Sequence, residues 1–148
     1  MPVKNNTVVL SKEKVLQKKN RFFSYFLFEY QGKILVNKRD GKDIWQSLFE
    51  FYLLESDELI QWDKNTISAW IQQQFADLQF DIAHVSATQS QQLTHQKIRG
   101  QFVKINLKNM PFALKKHQWI DVKKLNELAF PKFINQYLEI DFLQTNLF

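Results

Sequence analysis

The sequence predicts an α+β domain, a mixed β-sheet sandwiched between helices. Three observations lead there. Residues 21–30 (RFFSYFLFEY) are apolar on both alternating faces, with Phe22, Phe26 and Phe28 on one and Phe23, Tyr25 and Leu27 on the other. A strand of that kind needs cover on both sides. Ile67, Trp70, Ile71, Phe75 and Leu78 recur at helical spacing behind the helix caps offered by residues 63–66. Strands and helices then follow one another without the strict alternation of a parallel α/β sheet.

Residues 1–20 are rich in Lys and Asn and read as a tail or linker, with a short strand expected at residues 7–10. After the first strand, Gln31-Gly32 turns the chain and residues 33–39 (KILVNKR) return as an antiparallel partner. Asp40-Gly41 marks another turn, and residues 45–54 (WQSLFEFYLL) read as a third extended segment. The amphipathic helix comes next. Residues 82–90 and 98–107 are expected to be two strands flanking a polar loop. Asn109-Met110-Pro111 interrupts the pattern, and residues 118–121 read as a short strand or an entry segment. Asp121 caps a short helix over residues 122–128, and Pro131 opens a last helix over 133–142. The expected organisation is a linker at 1–20, one domain at 21–143 and a flexible tail at 144–148.

The composition supports a substantial core. Of 148 residues 45% are hydrophobic, including 14 Phe and 4 Trp. No apolar run approaches the ~20 residues needed to span a bilayer, so no membrane partner is expected. There is no Cys, which rules out disulfides, Cys-ligated zinc and iron–sulfur clusters within these residues and fits a cytoplasmic setting. Charge is segregated. Residues 29–81 carry ten acidic and five basic side chains, whereas residues 82–120 carry six basic ones and no acid. That basic window also holds His84, His95 and His117, whose spacing matches no metal-ligand pattern. At its centre stands Leu93-Thr94-His95-Gln96-Lys97, either a hairpin turn among solvated lysines or a surface that meets a polyanion.

Three segments resemble the C-terminal domain of MutY-type adenine DNA glycosylases. Residues 37–51 (NKRDGKDIWQSLFEF) are similar to that domain's Gly-Lys-Asp-Ile-Trp and Glu-Phe segment. Leu93-Thr94-His95 resembles its hydroxyl-His loop, and Trp119-Ile120 with residues 128–134 (LAFPKFI) resembles its end. Tyr52 stands where the family often has Pro, and Thr94 where it commonly has Ser. The resemblance implies a Nudix-like fold that recognises 8-oxoguanine opposite adenine in base excision repair of double-stranded DNA. It also implies that the catalytic acid and base and an iron–sulfur cluster belong to an N-terminal catalytic domain outside this chain, so that this part is not an enzyme alone.

On that resemblance the lesion-recognition candidates are Leu93, Thr94, His95 and Gln96. Oxidised guanine differs from guanine by an N7–H donor and a C8 carbonyl. Thr94 offers a hydroxyl that accepts and a backbone N–H that donates. Leu93 would press on the base stack as an apolar wedge. Lys97, Arg99, Lys115 and Lys116 are candidates for DNA phosphate contacts, with solvated lysine as the alternative. Alternation would place Lys97, Arg99 and Gln101 on one strand face.

Nudix hydrolysis is not expected. The expected helix lacks the carboxylates that hold magnesium, and Glu50 stands at the wrong spacing after Gly41. A protein-interaction module is the other reading. Gln144, Leu147 and Phe148 resemble the terminal peptide by which bacterial repair proteins dock on the sliding clamp, unless that tail folds back on the core.

Overall fold

The computed structural model describes residues 18–142. In chain order the strands are β1 (Lys19–Tyr30), β2 (Lys33–Lys38), β3 (Phe49–Glu50) and β4 (Tyr52–Ser56), followed by helix α1 (Lys64–Gln74). Next come β5 (Phe80–Val85), β6 (Gln89–Gln92), β7 (Gln96–Gly100) and β8 (Phe102–Leu107). The short helix α2 (Phe112–Lys115), β9 (Gln118–Asp121), a 3-10 helix (Val122–Glu127) and α3 (Lys132–Tyr137) complete the domain, and a π-helical turn (Leu138–Phe142) follows. No helix of the described residues is long and apolar enough to cross a membrane.

Everything is arranged around β1. On one edge its second half pairs with β2 through a turn in which Gln31 and Gly32 take positive φ of 51° and 78°, the pairing that suits a tight hairpin. Its first half pairs antiparallel with β4, from Phe22 opposite Ser56 to Phe26 opposite Tyr52. On the other edge β1 runs parallel first to β7 and then to β8. β9 and β3 extend the sheet beyond β2, β6 extends it beyond β7, and β5 extends it beyond β8.

The two-faced pattern of β1 is realised as two cores. Phe23, Tyr25 and Leu27 join Ile34, Val36, Ile98 and Phe102 beneath α3 and the 3-10 helix, which contribute Leu125, Phe133, Ile134 and Tyr137. Phe26 and Phe28 join Leu35, Val103 and Ile105 beneath α1, which contributes Ile67 and Ile71. The expected cap of α1 is present: the Asp63 carboxylate accepts from Thr66 N–H at 2.8 Å while the Thr66 hydroxyl accepts from Asp63 N–H at 2.9 Å.

Several expected boundaries move. Residues 45–54 are not one strand, because Trp45 and Ser47 take positive φ of 60° and 70° and the extended chain begins only at Phe49. The segment 82–90 divides into β5 and β6, and 98–107 divides into β7 and β8 at Gln101. Gln101 does not share the outer face of Lys97 and Arg99 but is buried. Its side chain accepts from Trp62 N–H at 2.9 Å and donates to the Ser86 carbonyl at 2.7 Å. The helix expected at residues 122–128 is a 3-10 helix ending at Glu127, and the last helix loosens to a π turn after Tyr137. α2 follows Pro111, where the sequence suggested only a break. The strand expected at residues 7–10 lies outside the described residues.

The division at Gln101 has a cause in the backbone. A Cβ at position 100 would stand 1.5 Å from the Phe23 carbonyl oxygen and 2.6 Å from its carbon. Only glycine lets β7 approach β1 so closely. Gly100→Ala is therefore expected to destabilise the domain by about 3 kcal/mol or more through overpacking, measured as a shift in urea midpoint. A midpoint unchanged from the parent would show that the strands separate without cost.

Candidate functional site

β6 and β7 form a hairpin with Gln92 opposite Lys97. Its tip is closed by Leu93 N–H donating to the Gln96 carbonyl at 2.8 Å. The loop expected at residues 91–97 shortens to a tip at residues 93–95, because Gln91 and Gln92 belong to β6 and Gln96 and Lys97 to β7. Thr94 and His95 are exposed, and Leu93 and Gln96 are half-buried. Leu93 packs against the core beneath α3, which limits how far it can act as a wedge.

The start of β1 holds this tip. Lys19 N–H donates to the His95 carbonyl at 3.1 Å, and Lys18 Nζ donates to Gln92 Oε1 at 3.0 Å. Arg21 Nη1 donates to Gln96 Oε1 at 3.0 Å. Lys97 and Arg99 follow on β7, both half-buried. The Arg99 guanidinium lies 5.4 Å from the centre of the Phe22 ring.

The other expected basic residues are placed differently. Lys115 and Lys116 are exposed at the end of α2. The adjacent Leu114 packs in the core beneath α1, on the opposite face of the sheet from Leu93. The fold therefore does not bring these two lysines beside the hairpin tip. Lys104 is buried and pairs with Glu29 at 3.2 Å, and Lys108 pairs with Asp81 at 3.6 Å. Phe112, one turn before Lys116, is 88% exposed.

The histidines have separate surroundings. His84 stacks on Tyr137 with ring centres 6.4 Å apart. His117 Nδ1 lies 2.9 Å from Asn37 Oδ1, and burial followed by the Lys116 charge lowers its pKa from the ordinary imidazole value. Among the described residues no group of three or more His, Cys, Asp or Glu could hold a metal ion. The tail residues Gln144, Leu147 and Phe148 lie outside the described residues.

A polar cluster that the sequence did not reveal lies beneath the tip. Arg21 forks onto Asp43, with Nη1 and Nη2 donating to its two oxygens at 2.7 and 2.8 Å. It also forks onto Glu55 through Nε and Nη2, both at 2.8 Å. Arg39 donates to Asp43 at 3.0 Å and to Glu50 at 2.8 Å, and Glu50 accepts also from the Tyr25 hydroxyl at 2.8 Å. Burial and then the Glu50 charge push the Tyr25 hydroxyl well above its ordinary pKa. Burial alone would lower the Arg39 pKa, and the Glu50 hydrogen bond and charge outweigh it and raise it. Asp43 was visible as part of the Gly-Lys-Asp-Ile-Trp segment, but nothing local joins it to Arg21, 22 residues away.

This architecture, a mixed sheet between helices on which a hairpin and loops carry the polar surface, defines the class. The family model for the NUDIX domain matches residues 24–139, and the chain belongs to that family. Among solved structures, the C-terminal domain of mouse MUTYH, determined in complex with human PCNA, superposes with a TM-score of 0.63 at 12% identity, covering 85% of this chain and 90% of that one. The ORF135 protein of E. coli superposes at 0.56 with 14% identity, covering 87% of this chain and 92% of that one. MutT, a Nudix hydrolase from methicillin-resistant Staphylococcus aureus 252, superposes at 0.55 with 19% identity, covering 76% and 89%. No curated protein sequence matches the chain. At these identities the likeness concerns the fold.

Asp43 sets an acid limit for the cluster. The Arg21 hydrogen bonds, first among its causes, hold its carboxyl at about 2 against an ordinary 3.8. A carboxyl lowered on folding stabilises the fold above its ordinary value and loses that contribution as pH falls toward the folded one. Stability should therefore drop between pH 3.8 and about 2, and Asp43→Asn should flatten that part of the urea-midpoint profile. An equally steep profile in the variant would show that Asp43 is not responsible.

Proposed function

We propose that this chain is the 8-oxoguanine-recognition domain of an adenine DNA glycosylase that acts on adenine opposite 8-oxoguanine in base excision repair. One observation carries the reading: Thr94 and His95 stand exposed at a hairpin tip that is fastened from behind to the central strand. The tip belongs to the segment that resembles the glycosylase loop, and the mouse MUTYH domain shares the fold. In this reading the Thr94 hydroxyl accepts from N7–H of the oxidised base, or its backbone N–H donates to O8. Leu93 supports the tip from the core side. In the same reading Lys97 and Arg99, which follow on β7, contact the phosphates flanking the lesion.

The domain is assigned no chemistry of its own. α1 carries no carboxylate for a magnesium ion, running from Lys64 through Gln72, Gln73 and Gln74. Removal of adenine, with its acid, base and iron–sulfur cluster, would fall to a catalytic domain outside this chain. DNA affinity of the domain alone would be low, because many contacts would come from that partner.

Titration of this chain, at low salt, into duplexes with adenine opposite 8-oxoguanine or opposite guanine tests the assignment. The oxidised duplex should bind more tightly, and Thr94→Ala should reduce that preference roughly tenfold, the worth of one good base contact. Equal binding of the two duplexes by the parent would remove the reading role. Turnover of nucleoside triphosphates with magnesium would favour a hydrolase instead.

A second reading concerns docking. The mouse MUTYH domain was solved with PCNA, and the terminal Gln144, Leu147 and Phe148 have the pattern of a clamp-binding peptide. We propose a sliding clamp as a further partner. Deleting residues 144–148 should abolish capture of the chain on an immobilised clamp, and undiminished capture would exclude the tail as the contact.

A further inference from the structure

We infer that Gln96 is not itself a base-reading residue but the anchor through which Arg21 positions the reading tip. This inference rests on the lesion-reading role of the hairpin proposed above. Gln96 was a candidate for direct base contact by its place beside Thr94 and His95, and the structure gives its side chain another task.

Arg21 is nearly buried, its side chain 10% exposed, and its guanidinium lies 5.0 Å from the centre of the Phe23 ring. A guanidinium has five N–H donors in a fixed plane. Four of them are taken by carboxylates: two by Asp43 and two by Glu55. Those bonds bind it to β4 and to the turn before β3, and they leave it no freedom to rotate. The fifth N–H, on Nη1, reaches the Gln96 side-chain oxygen at 3.0 Å. The direction of this donor is thus set by the other four. Gln96 is the one residue of the tip whose side chain meets this fixed point.

The neighbouring bonds make the consequence specific. Gln96 also supplies the carbonyl that closes the tip on Leu93 N–H, and His95 supplies the carbonyl that accepts from Lys19 N–H. Fixing the Gln96 side chain therefore fixes the two exposed residues between these bonds. A lysine at position 21 would lack the planar fork. A carboxylate at position 96 would accept the same hydrogen bond from Arg21 and keep the anchor. If Gln96 instead touched the base or a phosphate, a carboxylate there would repel the DNA and lose the donor of the amide.

Gln96→Leu and Gln96→Glu separate the two roles while leaving the Arg21–Asp43–Glu55 cluster intact. Two quantities are read for each: the amide exchange rate of Leu93, and the ratio of affinities for duplexes with adenine opposite 8-oxoguanine and opposite guanine. Gln96→Leu should speed Leu93 exchange about tenfold, as expected for loss of one charge-assisted hydrogen bond, and lower the affinity ratio. Gln96→Glu should restore the exchange rate and the ratio, even where it weakens binding to both duplexes equally. A Glu variant whose ratio is as low as that of the Leu variant, with Leu93 exchange at the parent rate in both, would overturn the inference and make Gln96 a direct contact. Should the parent show no preference between duplexes, the reading role fails, and Leu93 exchange alone decides the anchor: faster in Leu and restored in Glu supports it, unchanged in both rejects it.

Discussion

The sheet depends on how closely β7 can approach β1. The Phe23 carbonyl occupies the space that any side chain at position 100 would need. Because Gly100 leaves that space open, β1 can pair with β7 along Lys19–Phe22 and then pass to β8 from Tyr25 onward. Gln101 bridges the change of partner, with its carbonyl accepting from Tyr25 N–H at 3.1 Å. Its buried amide satisfies Trp62 N–H and the Ser86 carbonyl, groups that would otherwise lose their hydrogen bonds on burial. The same approach sets the hairpin tip beside the beginning of the central strand, where Lys19 and Arg21 can hold it.

Electrostatics add a second layer. Arg21 and Arg39 share Asp43 and divide Glu55 and Glu50 between them, so five charges are gathered in a small space, with both guanidiniums and Glu50 covered and Asp43 and Glu55 open to solvent. For the covered pair of Arg39 and Glu50, removing one partner costs more than the pair contributes, since the remaining charge loses its compensation, whereas solvent screens Asp43 and Glu55. Its function in the fold is geometric: it ties β1, β4 and the turn that precedes β3 to the hairpin. The turn's positive φ values at Trp45 and Ser47 belong to the same arrangement. They let the Arg39 and Ser47 backbones pair, with Ser47 N–H donating to the Arg39 carbonyl at 2.7 Å.

The candidate site was partly legible. Leu93-Thr94-His95 stood out as a polar tip between two strands, and it is one. The basic window was misleading as a surface, because absence of acids along a stretch of sequence does not mean absence of acids around it in space. Glu29 comes to Lys104 and Asp81 comes to Lys108 from other strands. Lys97 and Arg99 stay beside the tip, whereas Lys115 and Lys116 stand with the layer on the other face.

The sequence by itself determined the class of fold, since the apolar period on both faces of β1 can be satisfied only by cover on both sides, and local signals placed the cap of α1 and the turn at Gln31-Gly32. Only the tertiary structure decided that Gln101 turns inward and that β7 and β8 are separate. Only it brought Arg21 to Asp43, Glu55 and Gln96, which are 22, 34 and 75 residues away. Periodicity and capping act over a few residues and leave a pattern in the chain. A guanidinium fork closed by three distant segments leaves none, because its geometry exists only after the strands have paired.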